Sequence, residues 1–309
     1  MQKNQRLAST EISNLWTHYM RETMAICISK YMVNIIKDIE IHNIFKTSLD
    51  VSQKHIEVLK DLFHKENYPV PKGFSEDDVN LKAPSLFTDK YCLFYILAMT
   101  MHGMQGYSLA LSVSIRKDIR DFYNQCNSDA IDLFNKSMEV SLSKNLFEMP
   151  PFYSTPDKVD FINNLNYVTD VFGKRRTMNS IESGNIFFNL EKSIVTKAFL
   201  LAGQQVCEDK DVVKFMEKSI EVKNKHIGIF SNLLLNENLT TGHSLDTEIT
   251  NSTTAPFSDK LFLFHAGFLL ASAISYYGNA SVSSMRADIS VLCEKAIMTD
   301  LWVMLILVN

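Results

Sequence analysis

Two histidines stand in the same local sequence, 171 positions apart. His55 and His226 both occupy the centre of a Lys-His-Ile tripeptide, within stretches whose apolar residues recur at helical spacing. A histidine there could ligate a metal or transfer a proton near neutral pH. It could equally lie at the flank of the core and hydrogen-bond a neighbouring side chain. We favour this structural interpretation, because no cysteine, histidine or acid stands beside the histidine at ligand spacing in both copies.

A carboxylate-bound pair of iron or manganese ions is a metal centre known in four-helix bundles. It requires a Glu from each of two helices and a Glu-x-x-His from each of the other two. None of the eight histidines has a Glu three residues before it, and only His64 has an Asp there, Asp61. The second copy carries Asn232 and Leu235 at those positions. We therefore predict no metal site of this kind, no cofactor and no catalytic residue.

Four further polar pairs recur in the two halves of the chain. They are Asp89 and Asp259, Tyr107 and Tyr277, Arg116 and Arg286, and Asp118 and Asp288. An acid in the first turn of a helix suits the helix dipole, and an arginine at a helix end can pair with an acid. A tyrosine at a packed helix end needs a partner for its hydroxyl. We predict that all of these residues, like the paired histidines, have structural roles.

Composition excludes several other classes. The net charge is −4, with 31 Lys and Arg against 35 Asp and Glu, so no basic surface for nucleic acid is expected. The chain contains no nucleotide-binding glycine loop, no GxSxG and no HExxH. Five cysteines without a CxxC pair indicate a reducing compartment. We expect no signal peptide, and no membrane span, because the most apolar stretches are about 14 residues long where about 20 are needed.

The chain repeats itself, and the repeat predicts its architecture. Asp50–Asn67 returns at Glu221–Asn238, and Phe87–Ile119 returns at Phe257–Ile289 with eleven identities. Each half contains four amphipathic or apolar stretches of helical length. The predicted fold is all-α, with two tandem four-helix bundles arising from an internal duplication. The predicted domains are residues 1–151 and 178–309, joined by a linker at 152–177.

Long loops at 67–86 and 238–256 separate the second predicted helix from the third in each half. Four helices with two short connections and one long crossover match the ferritin-like topology. The second half is shorter at its end, and Leu301–Val308 forms an unbroken apolar run. We expect this run to leave apolar surface exposed. Genuine shortening, a frameshift and a dimerisation surface are all compatible with it.

Particular segments of the chain resemble a known family. They are Val171–Lys192 (VFGKRRTMNSIESGNIFFNLEK), Ser258–His265, Tyr276–Ile289 and, in the first half, GYSLALSVSIRKDI. The first three resemble the tandem ferritin-like proteins of endospore-forming bacteria labelled as candidate spore coat proteins, a family of unknown function. The first-half stretch resembles the turn between the third and fourth helices of a smaller spore coat protein family. Phe172–Arg176 is the segment most specific to that tandem family, and Thr177 stands at a position where the family usually has a proline. The resemblance implies a double bundle associated with the spore and offers no catalytic residues to carry over.

Three functions follow as hypotheses. The first is a non-enzymatic structural or interaction protein of the spore coat, located in the cytoplasm or the coat, whose partners are other coat proteins or further copies of itself. The second is a ferritin-like metal-dependent oxidoreductase or metal carrier. The third is a bundle that binds a small molecule in a cavity near Gly103, Gly106 and Gly267, beside a methionine-rich face. We expect no binding to nucleic acid or membrane.

Overall fold

The computed structural model describes residues 6–159, 161–162, 167 and 176–306. Within that part of the chain it is all-α and contains no extended sheet. The helices are α1 (Ser9–Ile35), α2 (Ile39–Lys65), α3 (Asp89–Ser112), α4 (Lys117–Ser143), α5 (Ser180–Val206), α6 (Lys210–Leu235), α7 (Asp259–Ser283) and α8 (Ala287–Ile306). The predicted all-α fold with two repeated sets of four helices is confirmed.

The connections between helices repeat as well. Residues 36–38 and 207–209 join the first helix of each set to the second, and residues 113–116 and 284–286 join the third to the fourth. The connection between second and third helices is long in both sets, at 66–88 and 236–258, and each contains one turn of 3-10 helix. Helix α1 packs on α2 and α3 on α4, while α6 packs on both α5 and α8.

The compact units divide the chain differently from the predicted domains. One unit comprises 1–147 and 248–262, and the other comprises 148–247 and 263–309. The segment 248–262, which the sequence assigns to the second bundle, therefore belongs to the first unit. Its Ile249 forms a single antiparallel bridge with Phe87, and Phe257 forms another with Val79. Much of the predicted linker (160, 163–166 and 168–175) and nearly all of the Phe172–Arg176 segment lie outside the described residues.

Polar side chains fix where the helices of the first unit begin. Asp38 accepts hydrogen bonds from the backbone N–H groups of Glu40 and Ile41, at 3.0 and 3.2 Å, and so caps α2. Thr88 caps α3 in the same way. Ser114 does not cap α4, because its hydroxyl donates to the carbonyl of Ala110 at 2.7 Å. Helix α4 begins two residues later, after Arg116, where the carboxylate of Glu11 accepts hydrogen bonds from the backbone N–H groups.

The apolar helices of each unit form its core. In α3 every residue from Tyr91 to Ala98 is buried, as expected of the most apolar helix in the first half. Among the described residues, α7 is the one helix long and apolar enough to cross a membrane, a test that buried core helices also pass. Leu301 and Trp302 of α8 are exposed, in agreement with the expectation for the apolar end. Residues 307–309 of that run lie outside the described residues.

Candidate functional site

The first unit places a polar cluster, here called the interior cluster, among its four helices. Its members are His18 and Glu22 of α1, His55 of α2, Tyr107 of α3, and Cys126 and Asp129 of α4. On α1 and α4 the two members are four and three residues apart, so each pair lies on one helix face. Packing of the four helices brings these faces together. Of the six, sequence reasoning had singled out only His55 and Tyr107.

The carboxylate of Glu22 lies at the centre of the interior cluster. Its Oε1 is 2.8 Å from Nε2 of His18, 2.9 Å from Nδ1 of His55 and 2.8 Å from the hydroxyl of Tyr107, which donates to it. The other ring nitrogen of His55, Nε2, lies 3.0 Å from Oδ2 of Asp129. His55 thus bridges two carboxylates, one on α1 and one on α4.

These contacts settle the charges of the buried pair. Burial alone would raise the pKa of Glu22, but the hydrogen bonds from His18 and His55 outweigh it and hold that pKa well below its usual range. Burial lowers the pKa of His55, yet its contacts with Cys126 and Glu22 raise it to about 11 overall. The arrangement therefore consists of a carboxylate and an imidazolium, with the second carboxylate of Asp129 at the edge.

His18 differs from His55 in having an unsatisfied nitrogen. Its side chain is 4% exposed, and burial lowers its pKa, so the ring is neutral. Nε2 donates to Glu22, and Nδ1 is buried without a hydrogen-bond partner. The ring stacks on Phe122 and Tyr123, with centroids 5.3 and 5.7 Å away. A buried lone pair of this kind is a ready ligand atom.

The interior cluster does not fit a carboxylate-bound pair of metal ions. The described residues of the four helices supply two carboxylates to it, Glu22 and Asp129, and α3 contributes the phenol of Tyr107 instead of an acid. A different donor set is present, however. One ligand atom each from His18, His55 and Cys126 lie within 4.8 Å of one another.

The second unit builds a different interior at the same repeat positions. Asn189, Ser193, Ala296 and Thr299 stand where the first unit has His18, Glu22, Cys126 and Asp129. His226 keeps the place of His55, with its Nε2 2.8 Å from the Thr299 hydroxyl and its Nδ1 3.2 Å from that of Tyr277. Burial lowers the pKa of His226 to about 3, so this histidine is neutral.

A lysine supplies the charge in the second unit. Lys223 and Asp300 are both fully buried, and Nζ of Lys223 lies 2.6 Å from Oδ2 of Asp300. Nζ also donates to the hydroxyl of Tyr277 at 3.3 Å, and that hydroxyl lies 3.0 Å from the Ser193 hydroxyl. Burial lowers the pKa of Lys223, but Tyr277 and Asp300 raise it overall, so the side chain carries its charge.

The comparison with known families also finds two successive repeats in the chain. The family described as "Protein of unknown function (DUF3231)" matches residues 1–159 and again residues 166–303. The chain belongs to this family. No curated protein matches it. A solved structure described as that of a "putative spore coat protein (BH2358)" from Bacillus halodurans C-125 is 19% identical. Its TM-score is 0.45, and the match covers 49% of this chain and 98% of that one, too weak a likeness to argue from.

In this DUF3231 protein the paired arginines lie at helix ends in both units. Nη1 of Arg116 lies 2.5 Å from Oε1 of Glu66, and its Nη2 lies 2.7 Å from Oδ2 of Asp118. Arg286 pairs in the same way with Glu237 and Asp288. Each arginine thus joins the end of one helix to the start of another, which suits the structural role predicted for it.

A buried glutamate, whose contact with a distant helix the sequence does not predict, completes each of these helix ends. Oε1 of Glu11 accepts hydrogen bonds from the backbone N–H groups of Ile115 and Arg116, at 2.9 and 2.8 Å. Its Oε2 accepts from Ala8 at 2.8 Å. Glu182 does the same for the second unit, with Arg286 N–H at 2.9 Å. The signal was present in the sequence, because Glu11 and Glu182 are repeat partners in the first turn of equivalent helices.

The remaining predicted pair lies at the start of the third helix of each set. Both oxygens of Asp89 accept the backbone N–H of Lys37, and Oδ2 accepts that of Asp38 at 2.7 Å. Asp89 therefore supports the connection between α1 and α2. Asp259 occupies the first turn of α7, as the repeat predicts. None of these helix-end residues belongs to the interior cluster.

Proposed function

We propose that this protein is a non-enzymatic structural protein with two ferritin-like bundles, and that it works in the bacterial spore coat. One observation carries the proposal: the two units repeat their helix-end contacts, whereas only two of the six interior polar residues, His55 and Tyr107, recur as His226 and Tyr277. The Glu11–Arg116–Asp118 arrangement returns as Glu182–Arg286–Asp288 with the equivalent backbone contacts, and Glu182 also pairs with Arg176. The rest of the interior cluster has no such counterpart.

This pattern favours a structural role over a catalytic one. A catalytic centre common to both bundles would need equivalent side chains in both interiors, since its chemistry depends on particular groups at fixed distances. The second unit has lost every acid and thiol of the interior cluster and contains an internal Lys223–Asp300 pair instead. What both units retain is the set of contacts that closes a four-helix bundle.

The link to the spore rests on the resemblance described above. The segments Ser258–His265 and Tyr276–Ile289, which carry it, lie in α7 and at its junction with α8. A structural protein of the coat would act through its surface, with other coat proteins or further copies of itself as partners.

Localisation tests this proposal directly. A fluorescent fusion of the full chain is expressed from its own promoter in the spore-forming bacterium that carries it, and mature spores are separated into coat extract and core. We expect the fusion on the forespore and the untagged protein in the coat extract. A protein that stays diffuse in vegetative cells and is missing from the coat extract refutes the spore association.

The metal-dependent alternative is tested on the purified chain. Oxygen consumption is followed during addition of Fe²⁺ to the protein, with free Fe²⁺ as the baseline. A non-enzymatic protein leaves the rate at that baseline. A rate increase that disappears in Glu22→Ser, a variant that copies Ser193 of the second unit, would instead make the first unit an oxidase and refute the non-enzymatic assignment.

A further inference from the structure

We propose that the first unit binds a single divalent transition-metal ion, Zn²⁺ by preference, through His18, His55 and Cys126 in its interior cluster. The inference goes beyond the proposed function, because a structural protein can hold a metal that stabilises its fold without catalysing a reaction. It also differs from the two-ion carboxylate centre, for which the interior cluster lacks the acids.

The three donors are close enough to share one ion. Zn–N bonds are about 2.0–2.1 Å and Zn–S bonds about 2.3 Å, so neighbouring ligand atoms around a tetrahedral Zn²⁺ stand roughly 3.3–3.8 Å apart. The ligand atoms of His18, His55 and Cys126 lie within 4.8 Å of one another. The difference of about 1 Å lies within the range that side-chain rotations can close.

Carboxylates lie beside both nitrogens of His55. Nδ1 is 2.9 Å from Glu22 and Nε2 is 3.0 Å from Asp129. Metal binding displaces one proton from the His55 imidazolium and one from the Cys126 thiol, and both protons leave to solvent. Whichever nitrogen of His55 ligates the ion, one carboxylate stands next to it as a fourth donor, and the other accepts the remaining N–H. A carboxylate that orients a metal-bound histidine is the usual outer partner of such sites.

The donor types select the metal. Imidazole and thiolate prefer Zn²⁺ and its neighbours in the transition series, whereas Mg²⁺ and Ca²⁺ prefer oxygen ligands. His18 contributes a buried nitrogen with no hydrogen-bond partner in the described structure. Cys126 is fully buried on α4, and Asp129 one turn further along has a side chain that is 25% exposed.

The second unit predicts the stoichiometry. Two of the three proposed ligands are replaced there, His18 by Asn189 and Cys126 by Ala296. The interior already contains a cation, the ammonium group of Lys223, held 2.6 Å from Asp300. We therefore expect one ion per chain, and a second unit that binds none.

The competing interpretation is a hydrogen-bonded network that never binds metal. It explains the contacts of Glu22, His55, Tyr107 and Asp129, all of which are satisfied without an ion. It also accounts for the Cys126 thiol, which hydrogen-bonds His55, and it leaves only the buried Nδ1 of His18 without a partner in the interior cluster. The two interpretations differ in one observable: whether a thiolate–metal bond forms.

Titration with Co²⁺ measures this bond. Co²⁺ takes the tetrahedral sites of Zn²⁺, and a Co²⁺–thiolate bond produces a charge-transfer band in the near ultraviolet. The full chain is purified under reducing conditions, treated with a chelator and titrated with Co²⁺, followed by displacement with Zn²⁺. We expect the band to saturate at one Co²⁺ per chain and to disappear on addition of one equivalent of Zn²⁺.

Variants copied from the second unit identify the ligands. Cys126→Ala reproduces Ala296 and should abolish the charge-transfer band, and His18→Asn reproduces Asn189 and should weaken Co²⁺ binding by at least about tenfold. Cys293→Ala is the matched control, because Cys293 is a fully buried cysteine of α8 that lies outside the interior cluster. It should leave the band and the stoichiometry unchanged. Far-ultraviolet circular dichroism checks that each variant is folded.

Each outcome of the titration either supports the metal site or overturns it. A band in the parent chain that is lost in folded Cys126→Ala and kept in Cys293→Ala supports the site. Absence of any band, a band that survives Cys126→Ala, or two ions per chain overturns it. None of these results alters the localisation test, so the metal site and the spore-coat proposal fail or stand separately.

Discussion

The ion pair inside the second unit leads to a sharp stability prediction for Asp300→Ala. Lys223 and Asp300 are both fully buried, and 2.6 Å separates Nζ from Oδ2. Alanine is also the residue at the equivalent position of the first unit, Ala130, so the helix itself tolerates it. The substitution leaves the ammonium group of Lys223 beside the hydroxyl of Tyr277, 3.3 Å away. An unpaired buried charge of this kind typically destabilises a protein by about 3–5 kcal/mol.

Loss of the Lys223 proton sets the upper limit of the destabilisation by Asp300→Ala. A lysine that can no longer keep its charge releases its proton, and doing so at pH 7 from an ordinary pKa near 10.4 costs about 5 kcal/mol. The folded variant then binds one proton fewer than the unfolded chain. Its stability should therefore rise with pH, by about 1.4 kcal/mol per unit relative to the parent protein, between pH 7 and 10.

Urea denaturation of the full chain, followed by circular dichroism at pH 7 and pH 9, measures both effects. Glu221→Ala is the matched control, because Glu221 pairs with Lys218 on the exposed face of the same helix at a similar distance of 2.7 Å. It should cause no measurable change. The double variant Lys223→Met/Asp300→Leu should recover most of the loss, since apolar replacement of a whole buried pair is close to neutral.

Two results would refute this reasoning. A loss below about 1 kcal/mol for Asp300→Ala would mean that Lys223 finds water or another acceptor at no cost. A double variant as unstable as the sum of its single substitutions would mean that packing, and not charge, determines stability at this position.

Three further predictions concern other buried positions. Glu11→Ala should lower stability by about 2–4 kcal/mol, because three backbone N–H groups lose their acceptor, as urea denaturation will measure. Gly73→Ala should lower the free energy of unfolding by about 1–3 kcal/mol, because a Cβ there would stand 2.3 Å from the Thr23 hydroxyl. Gly228→Ala, at a helical position where a Cβ meets no other atom within 4 Å, should raise the free energy of unfolding by up to about 1 kcal/mol in the same assay. Lys192, whose pKa burial lowers to about 7, should make the protein more stable as pH rises from 7 towards 10, by about 1.4 kcal/mol per unit relative to Lys192→Met.

Each of these has a result that would contradict it. Parent-like denaturation of Glu11→Ala would show that water replaces the carboxylate. An equal effect of the two glycine substitutions would show that the contact with Thr23 relaxes freely. For Lys192, parallel pH profiles of parent and Lys192→Met would mean that the buried amine titrates at its ordinary pKa.

The features that could be predicted from the sequence are those that local residue patterns determine. Helical periodicity and the internal repeat were sufficient for the all-α fold and for the long loops, since each depends on neighbours within a few residues. Neither the start of α4 nor the extent of the compact units could be predicted in this way, because distant residues decide both. Glu11, over a hundred residues from α4, satisfies the backbone at its start, and the segment 248–262 packs in the first unit.

The interior cluster could not be found by matching the two copies. His18, Glu22, Cys126 and Asp129 have no counterparts in the second half, so a search for shared chemistry passes over them. Their spacing of four and three residues on single helices was a usable signal, but its meaning depends on which helix faces meet. That is a tertiary property, fixed by packing of four helices and not by any local pattern.

The two interiors show what a bundle of this kind demands of its buried polar residues. One holds a negative Glu22 against a positive His55, and the other holds a positive Lys223 against a negative Asp300. Both compensate buried charge at hydrogen-bonding distance, which is the condition for keeping such groups away from water. The identity of the pair is otherwise free to differ. After duplication, one interior could therefore keep imidazole and thiol donors while the other replaced them with a lysine, with no change in the contacts that close the helix ends.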